Sequence, residues 1–307
     1  MGQSLHAGHA GHVGHAGHAG RAVVYAVAAA APVAAALAHI GPAATWLPGL
    51  RRRRFPALAG QGGPGHVALT FDDGPDPVST PHFLDALDAL GVRATFFVLG
   101  ENVSRHPAVA GEMARRGHEV GVHGWAHDRP WWPAPLRDAR EVLRAAQVVG
   151  EVTGRSPTWY RPPYGILTSG RWAAARRAGL RPVLWTAWGK DWRHDATPAS
   201  VRANVAADLR GGGTILLHDT DHASAPGSWR ATLGALPDVV RDCREAGLAV
   251  GPLGEHGTGG AAVAAGVRAA GAVHGTHRFG HRRRDSRSVM EDSDDQRAAA
   301  PDPSCPP

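Results

Sequence analysis

An α/β fold built on a parallel sheet is what this sequence predicts, and three observations predict it. Seven short, β-rich apolar runs alternate with amphipathic stretches from Gly65 to Gly251. Gly91, Gly117, Gly179 and Gly247 each stand just before the next apolar run; those are helix C-cap positions, where glycine takes the left-handed conformation at least cost. The polar clusters fall where apolar runs end. Strands separated by helical stretches need crossover connections, hence parallel pairing. Closure of such a sheet gives a barrel, and non-closure a doubly wound sheet.

The elements before the sheet carry no chemistry of this kind. Residues 6–20 read HAGHAGHVGHAGHAG, with His6, His9, His12, His15 and His18 in phase. This is low-complexity sequence that buries no core; loose metal capture by its imidazoles is the functional alternative to a plain extension. Residues 22–39, AVVYAVAAAAPVAAALAH, form an apolar run that borders on the length of a membrane span. It reads as a signal-like or membrane helix or as a buried one, so membrane association through residues 22–49 is an open expectation. Arg51 to Arg54 follow it, and positive charge prefers the cytoplasmic side.

The strands are expected at about His66–Phe71, Arg93–Leu99, Glu119–His123, Thr158–Arg161, Arg181–Thr186, Thr214–His218 and Leu248–Gly251. Helices are expected at about Pro81–Leu90, Pro107–Arg116, Pro135–Thr153, Ser169–Ala178, Pro198–Leu209 and Trp229–Ala246. The organisation that follows is an extension at 1–20, an apolar segment at 21–50, a folded α/β domain at 60–254 and a tail at 255–307.

Composition removes several function classes. The 307 residues are 43% hydrophobic, enough for one barrel-sized core. Net charge is +6, but no stripe of interleaved basic and aromatic residues accompanies it, so no nucleic-acid partner is expected. Two cysteines, Cys243 and Cys305, make neither a disulfide framework nor a thiolate metal site.

The chemistry sits at the strand ends. Asp72 and Asp73 follow the first run, His123 and His127 the third, and Arg161 to Tyr164 the fourth. Asp191 and Trp192 follow the fifth, and His218 closes the sixth. In a β/α barrel the C-terminal strand ends converge on one face, which carries the site. Two imidazoles four residues apart plus one carboxylate of the Asp72–Asp73 pair describe a divalent metal site with open positions. Zinc fits best, and the spacing also admits cobalt, nickel, manganese or iron. If Asp73 binds the metal, Asp72 is placed to act as base; a tight Asp-Gly turn is the bland alternative. His218 reads either as a core histidine or as a general acid, with Asp191 the best candidate to orient it.

TFDDGPD, the H-x-x-x-H at 123–127, RPPYG at 161–165, DW at 191–192 and LLHD at 216–219 occur in this order. Together they resemble the polysaccharide deacetylases with a NodB homology domain, carbohydrate esterase family four, over about residues 65–251. The resemblance implies a distorted (β/α) barrel of about seven parallel strands. It implies a hydrolase that removes acetyl groups from N-acetylated sugars of a peptidoglycan or chitin-like glycan, using one divalent metal ion. An O-acetyl esterase on xylan or another acetylated glycan, and a non-catalytic carbohydrate-binding relative, are the alternatives. Residue by residue it implies Asp72 as base, Asp73, His123 and His127 as metal ligands, and Arg161 as the base's partner. Tyr164 is implied as a backbone donor to the oxyanion, Asp191 and Trp192 as the group around the acid, His218 as the acid, and Leu216 as the acetyl-pocket lining. Family habit places such a domain outside the membrane, on the cell-wall side, whereas the arginine cluster points to the cytoplasm.

Two positions depart from the family pattern. Gly124 stands where a hydroxyl residue usually follows the first histidine, and Trp188 where an aspartate usually precedes DW. Trp185, Trp188 and Trp192 therefore predict an aromatic cleft wall, with Trp125, Trp131 and Trp132 as a candidate sugar platform.

Overall fold

The computed structural model describes residues 30–129 and 134–257. The His/Gly repeat, Trp131, Trp132 and the tail from residue 258 onward lie outside the described residues.

Eight parallel strands form one curled sheet. They are β1 (His66–Asp72), β2 (Thr95–Leu99), β3 (Glu119–Gly124), β4 (Trp159–Tyr160), β5 (Arg181–Pro182), β6 (Ala187–Trp188), β7 (Thr214–His218) and β8 (Ala249–Gly251). The order is β5-β4-β3-β2-β1-β7-β6. On β1, β8 pairs with His66 to Ala68 and β2 with Thr70 to Asp72, so one edge of β1 serves two partners in succession. This is the α/β half-barrel that the repeat pattern predicted.

The helices follow the expected stretches closely. Pro135–Thr153 forms as read, and Thr80–Leu90, Pro107–Arg115, Ser169–Arg177, Pro198–Asp208 and Trp229–Glu245 differ by one residue at an end. All four glycines placed at C-caps have positive φ, between 61° and 82°. A short helix at Gly100–Arg105 was not predicted. Its six residues are too few to show a helical period.

One expected strand is corrected. The run read as a single strand at 181–186 makes two short ladders, Arg181–Pro182 on β4 and Ala187–Trp188 on β7. Between them the Val183 N–H donates to Tyr160 and the Thr186 N–H to Thr214. The Leu184 N–H donates to Leu58 O, and its carbonyl accepts from Arg161. Leu184, at the middle of the run, thus gives its hydrogen bonds to partners outside the strands, and one segment touches both edges of the half-barrel.

Alternation along the strands sorts side chains into two layers. Val67, Leu69 and Phe71 of β1 join Phe96 and Val98 of β2 in the large core under the helices, where the Phe71 and Phe96 rings stack at 5.0 Å. The opposite set, Ala68, Phe97, Trp159, Val183 and Leu253, forms a separate small cluster. Asp72 follows Ala68 and Thr70 in that second register. At Gly121 an added Cβ would lie 3.0 Å from the Phe97 ring, so the residue two before His123 has to be small.

Candidate active site

The second register carries the polar residues to one place. Arg161, wholly buried, lies with Cζ 4.1 Å from the centroid of the Phe97 ring. Its Nη1 donates to Thr70 Oγ1 at 2.8 Å and to Asp72 Oδ1 at 2.7 Å, and Nη2 donates to the Leu184 carbonyl at 3.0 Å. The guanidinium is thereby fixed to β1 at two points and to the run around Leu184. Burial lowers its pKa and Asp72 works against that. Asp72 in turn is paired across the ladder with His218.

Asp73 follows with φ 80°, a left-handed conformation that aspartate tolerates better than most residues. Its N–H donates to Phe97 O, and its carbonyl accepts from Asn102 Nδ2 at 2.9 Å. This turn aims Oδ1 at two imidazoles, His123 Nε2 at 3.3 Å and His127 Nε2 at 3.5 Å. Oδ1 is buried and has no hydrogen-bond partner. His123 Nδ1 lies 2.8 Å from the Arg161 carbonyl. A carbonyl only accepts, so Nδ1 carries a proton there and Nε2 is the nitrogen turned toward Asp73.

The three ligand atoms lie within 4.8 Å of one another. Burial pushes His127 down to about 4, against the pull of Asp73, so its ring is neutral near pH 7. Burial by itself would raise the Asp73 carboxyl; the imidazoles of His123, His218 and His127 outweigh it and hold the group well below the usual carboxylate range. A buried carboxylate oxygen without a hydrogen-bond partner, with the Nε2 atoms of two imidazoles beside it, fits a divalent cation and is otherwise costly.

Across the cleft, Asp191 holds His218. The His218 backbone N–H donates to Asp191 Oδ2 at 2.7 Å, and Nδ1 donates to Oδ1 at 2.9 Å. Thr232 Oγ1 adds a bond to Oδ2 at 2.8 Å. Burial would lower the imidazole, but Asp191 first, then Asp73 and Asp72, push it up to about 10. Tyr164 sits in a turn with φ 59° and lies edge-on to His127 at 4.3 Å.

A cavity of about 740 Å3 joins these groups. Asp72, Asp73, His123, His127 and His218 open onto it, with Tyr164, Trp192 and Leu216 in its wall. Arg161 and Asp191 stand behind that wall, bonded to Asp72 and His218. Asp72, Asp73, His123, His127, Arg161, Tyr164, Asp191, Trp192, Leu216 and His218 are therefore brought to this one place. The Trp185, Trp188 and Trp192 rings form a continuous aromatic face, with centroids 5.3 and 4.3 Å apart. Trp125 instead packs beneath the Arg144 guanidinium, 3.5 Å from its ring centroid, and does not line the cavity.

Gly124 has φ 120°, a backbone conformation that side-chain-bearing residues rarely adopt, so the departure from the family pattern matches the local path of this loop.

Sequence reasoning missed Ala43, Trp46 and Arg129 in the cavity wall, Thr70 and Thr232 as partners of the charged groups, and the role of Arg51. Counted in the sequence as one of four arginines that follow the apolar run, Arg51 is buried, donating to the Trp185 carbonyl at 2.8 Å. Nothing in a run of four arginines distinguishes the one that turns inward.

The family model for polysaccharide deacetylase matches residues 59–183. The chain is 35% identical over 170 residues to the peptidoglycan-N-acetylglucosamine deacetylase PgdA of Listeria monocytogenes, covering 55% of this chain and 35% of that protein. It thus spans about a third of that relative's length. It is 34% identical over 197 residues to a chitooligosaccharide deacetylase of Bradyrhizobium, covering 61% of this chain and 88% of that one. A solved peptidoglycan N-acetylglucosamine deacetylase superposes with a TM-score of 0.60 at 28% identity, covering 66% of this chain and 92% of that structure.

Proposed function

The chain belongs to the polysaccharide deacetylases of carbohydrate esterase family four, and on that premise we propose that it hydrolyses the acetamido groups of a peptidoglycan or chitin-like glycan. The observation that carries this reading is the pairing of two opposed devices on one cavity. On one side stand a carboxylate and two imidazoles around an unsatisfied Asp73 Oδ1; on the other stands a histidine kept protonated by Asp191.

Asp73, His123 and His127 would hold the cation. A divalent ion bound there supplies Lewis acidity toward a carbonyl and acidifies water; zinc suits the donor set, and cobalt, nickel, manganese and iron are the competitors. Asp72 is the base. Its Oδ1 is occupied by Arg161, and its Oδ2, 3.9 Å from His123 Nε2, takes the proton of the attacking water. The new C–O bond forms as the carbonyl oxygen gains charge, which the Tyr164 N–H accommodates. His218, carrying its proton at neutral pH, gives it to the amide nitrogen as the C–N bond breaks. Acetate and a free amino sugar result. Leu216 lines the space for the acetyl methyl, and Trp192 the sugar side. An O-acetyl ester leaves as an alcohol and depends less on the proton of His218, so it is the competing substrate class.

The test uses the full chain. Metal is removed with a chelator, zinc, cobalt, nickel, manganese or iron is returned singly, and acetate release is measured on N- and O-acetylated glycans. Activity is expected only with metal, and Asp73→Asn is expected to lose the bound ion by elemental analysis. Acetate release that persists in verified metal-free protein removes the reading.

Membrane association is proposed as well, with the domain on the wall side. Val33, Leu37, Ile40, Leu47, Leu50 and Phe55 are exposed on the segment that enters the domain, followed by the outward arginines 52–54. Among the described residues no single helix is long and apolar enough to cross a membrane; Ala30–Trp46 and Pro48–Arg54 reach that length and apolar composition only when taken together, as a pair bent by 89°.

A further inference from the structure

The cavity wall includes residues that precede both the matched family region, which starts at residue 59, and the motifs that define the site. Ala43 and Trp46 lie on a 3-10 turn, Gly41–Trp46, ahead of the helix Pro48–Arg54. Two hydrogen bonds hold this segment to the catalytic end, and a third braces it internally. The Trp46 indole Nε1 donates to the Tyr164 carbonyl at 3.2 Å. Arg51 Nη1 donates to the Thr45 carbonyl at 3.0 Å, and Nη2 to the Trp185 carbonyl at 2.8 Å. Arg51 also lies 5.6 Å from the centroid of the Trp185 ring. At Gly165 an added Cβ would lie 3.4 Å from Trp46 Cδ1, so the pyrrole edge of the indole rests on the Tyr164–Gly165 turn.

Trp46 is 48% exposed although its polar edge is spent. An exposed tryptophan alone is ordinary. Here the ring is anchored to the turn that carries Tyr164, stands on the same cavity as Trp185, Trp188 and Trp192, and is secured by a buried arginine that ties the Thr45 carbonyl to the Trp185 carbonyl. A pyranose presents a face of C–H bonds with partial positive charge, which complements the negative face of an indole. The cavity, about 740 Å3, is in the range of sites that enclose a whole small ligand, far more than an acetamide requires.

We propose that the segment Gly41–Arg54 builds a saccharide subsite onto the cleft, in which Trp46 stacks on a sugar ring next to the one being deacetylated, while Arg51 clamps the segment in place. The inference rests on the deacetylase reading for its ligand class. It makes the chain selective for oligomers over single N-acetylated sugars, and it gives the segment before residue 59 a role in substrate choice.

The experiment compares the full chain with Trp46→Ala and Trp46→Phe, using tetrameric and monomeric N-acetylglucosamine. Binding is read by calorimetry and turnover by acetate release. A stacked ring contributes about 0.5–1.5 kcal/mol beyond its area, so Trp46→Ala is expected to raise Kd and KM for the tetramer about tenfold with kcat within about twofold. Trp46→Phe keeps a ring while losing the donor to Tyr164, and is expected to bind the tetramer within about threefold of the parent. Equal Kd for parent and Trp46→Ala overturns the subsite. So does equal weakening in the two variants, which assigns the effect to the Tyr164 turn. Tetramer binding that depends on Trp46 without acetate release counts against the deacetylase reading and leaves the subsite standing. A parent chain that neither binds nor deacetylates the tetramer overturns both.

Discussion

Replacing Asp191 by Asn tests whether the His218 proton is the one that leaves with the product. The carboxylate accepts from His218 at both its backbone N–H and its Nδ1, and from Thr232, so an amide of the same shape keeps part of the packing and removes the charge. With Asp191 the imidazole is pushed up from 6.5 to about 10. That difference is worth ~5 kcal/mol in favour of the protonated ring. Without the charge, burial acts against only the more distant Asp73 and Asp72, and the group falls toward 6.5. Near pH 8.5 the parent is almost fully protonated, whereas a group titrating at 6.5 is protonated in about one molecule in a hundred. The expected result is a drop of about 100-fold in kcat/KM at pH 8.5 that shrinks to a few-fold near pH 6. The folded-state value is raised, so the stability this group contributes is fully present below 6.5 and is lost as pH climbs through about 10. The assay is the kcat/KM profile for acetate release from the tetramer between pH 5.5 and 9.5, with zinc saturating. A variant whose alkaline limb coincides with that of the parent refutes the assignment of His218 as the acid.

Arg161→Met removes one partner of a buried ion pair and leaves the Asp72 carboxylate and Thr70 without their donor. Breaking such a pair costs about 3–5 kcal/mol, read as a lowered denaturant midpoint with little change in slope; a loss under about 1 kcal/mol contradicts the structural role given to it. For the membrane proposal, the full chain is expected to float with vesicles containing anionic phospholipid. Each exposed arginine of 52–54 contributes about 1 kcal/mol near such a surface, so binding should weaken at least tenfold on zwitterionic vesicles. Protein that stays in the dense fraction with both compositions disposes of the idea.

Much of this molecule follows from local rules. A period of two in HVALTFD sends Val67, Leu69 and Phe71 to one layer and Ala68, Thr70 and Asp72 to the other, and any parallel sheet made from it offers Asp72 at its end. Helix ends were readable because proline starts and glycine stops are chemical properties of single residues. The candidate site was readable because its members stand at the ends of strands, and parallel strands bring their ends together whatever lies between them.

By itself, then, the sequence determined the β/α repeat, the strand-end placement of Asp72, Asp73, His123, Arg161 and His218, and the donor types that suit a divalent cation. Only the tertiary structure decided that Asp73 Oδ1 meets both imidazoles, that the Asp191 carboxylate bonds His218 twice, and that the stretch 181–188 divides between two sheet edges. It also decided that Arg51 turns inward and carries Trp46 to the cleft. The reason is the range of the forces involved. Periodicity and capping act within a few residues, so they are written locally. The choice between solvent and a carbonyl 134 residues away depends on which unpaired acceptors the finished barrel leaves exposed.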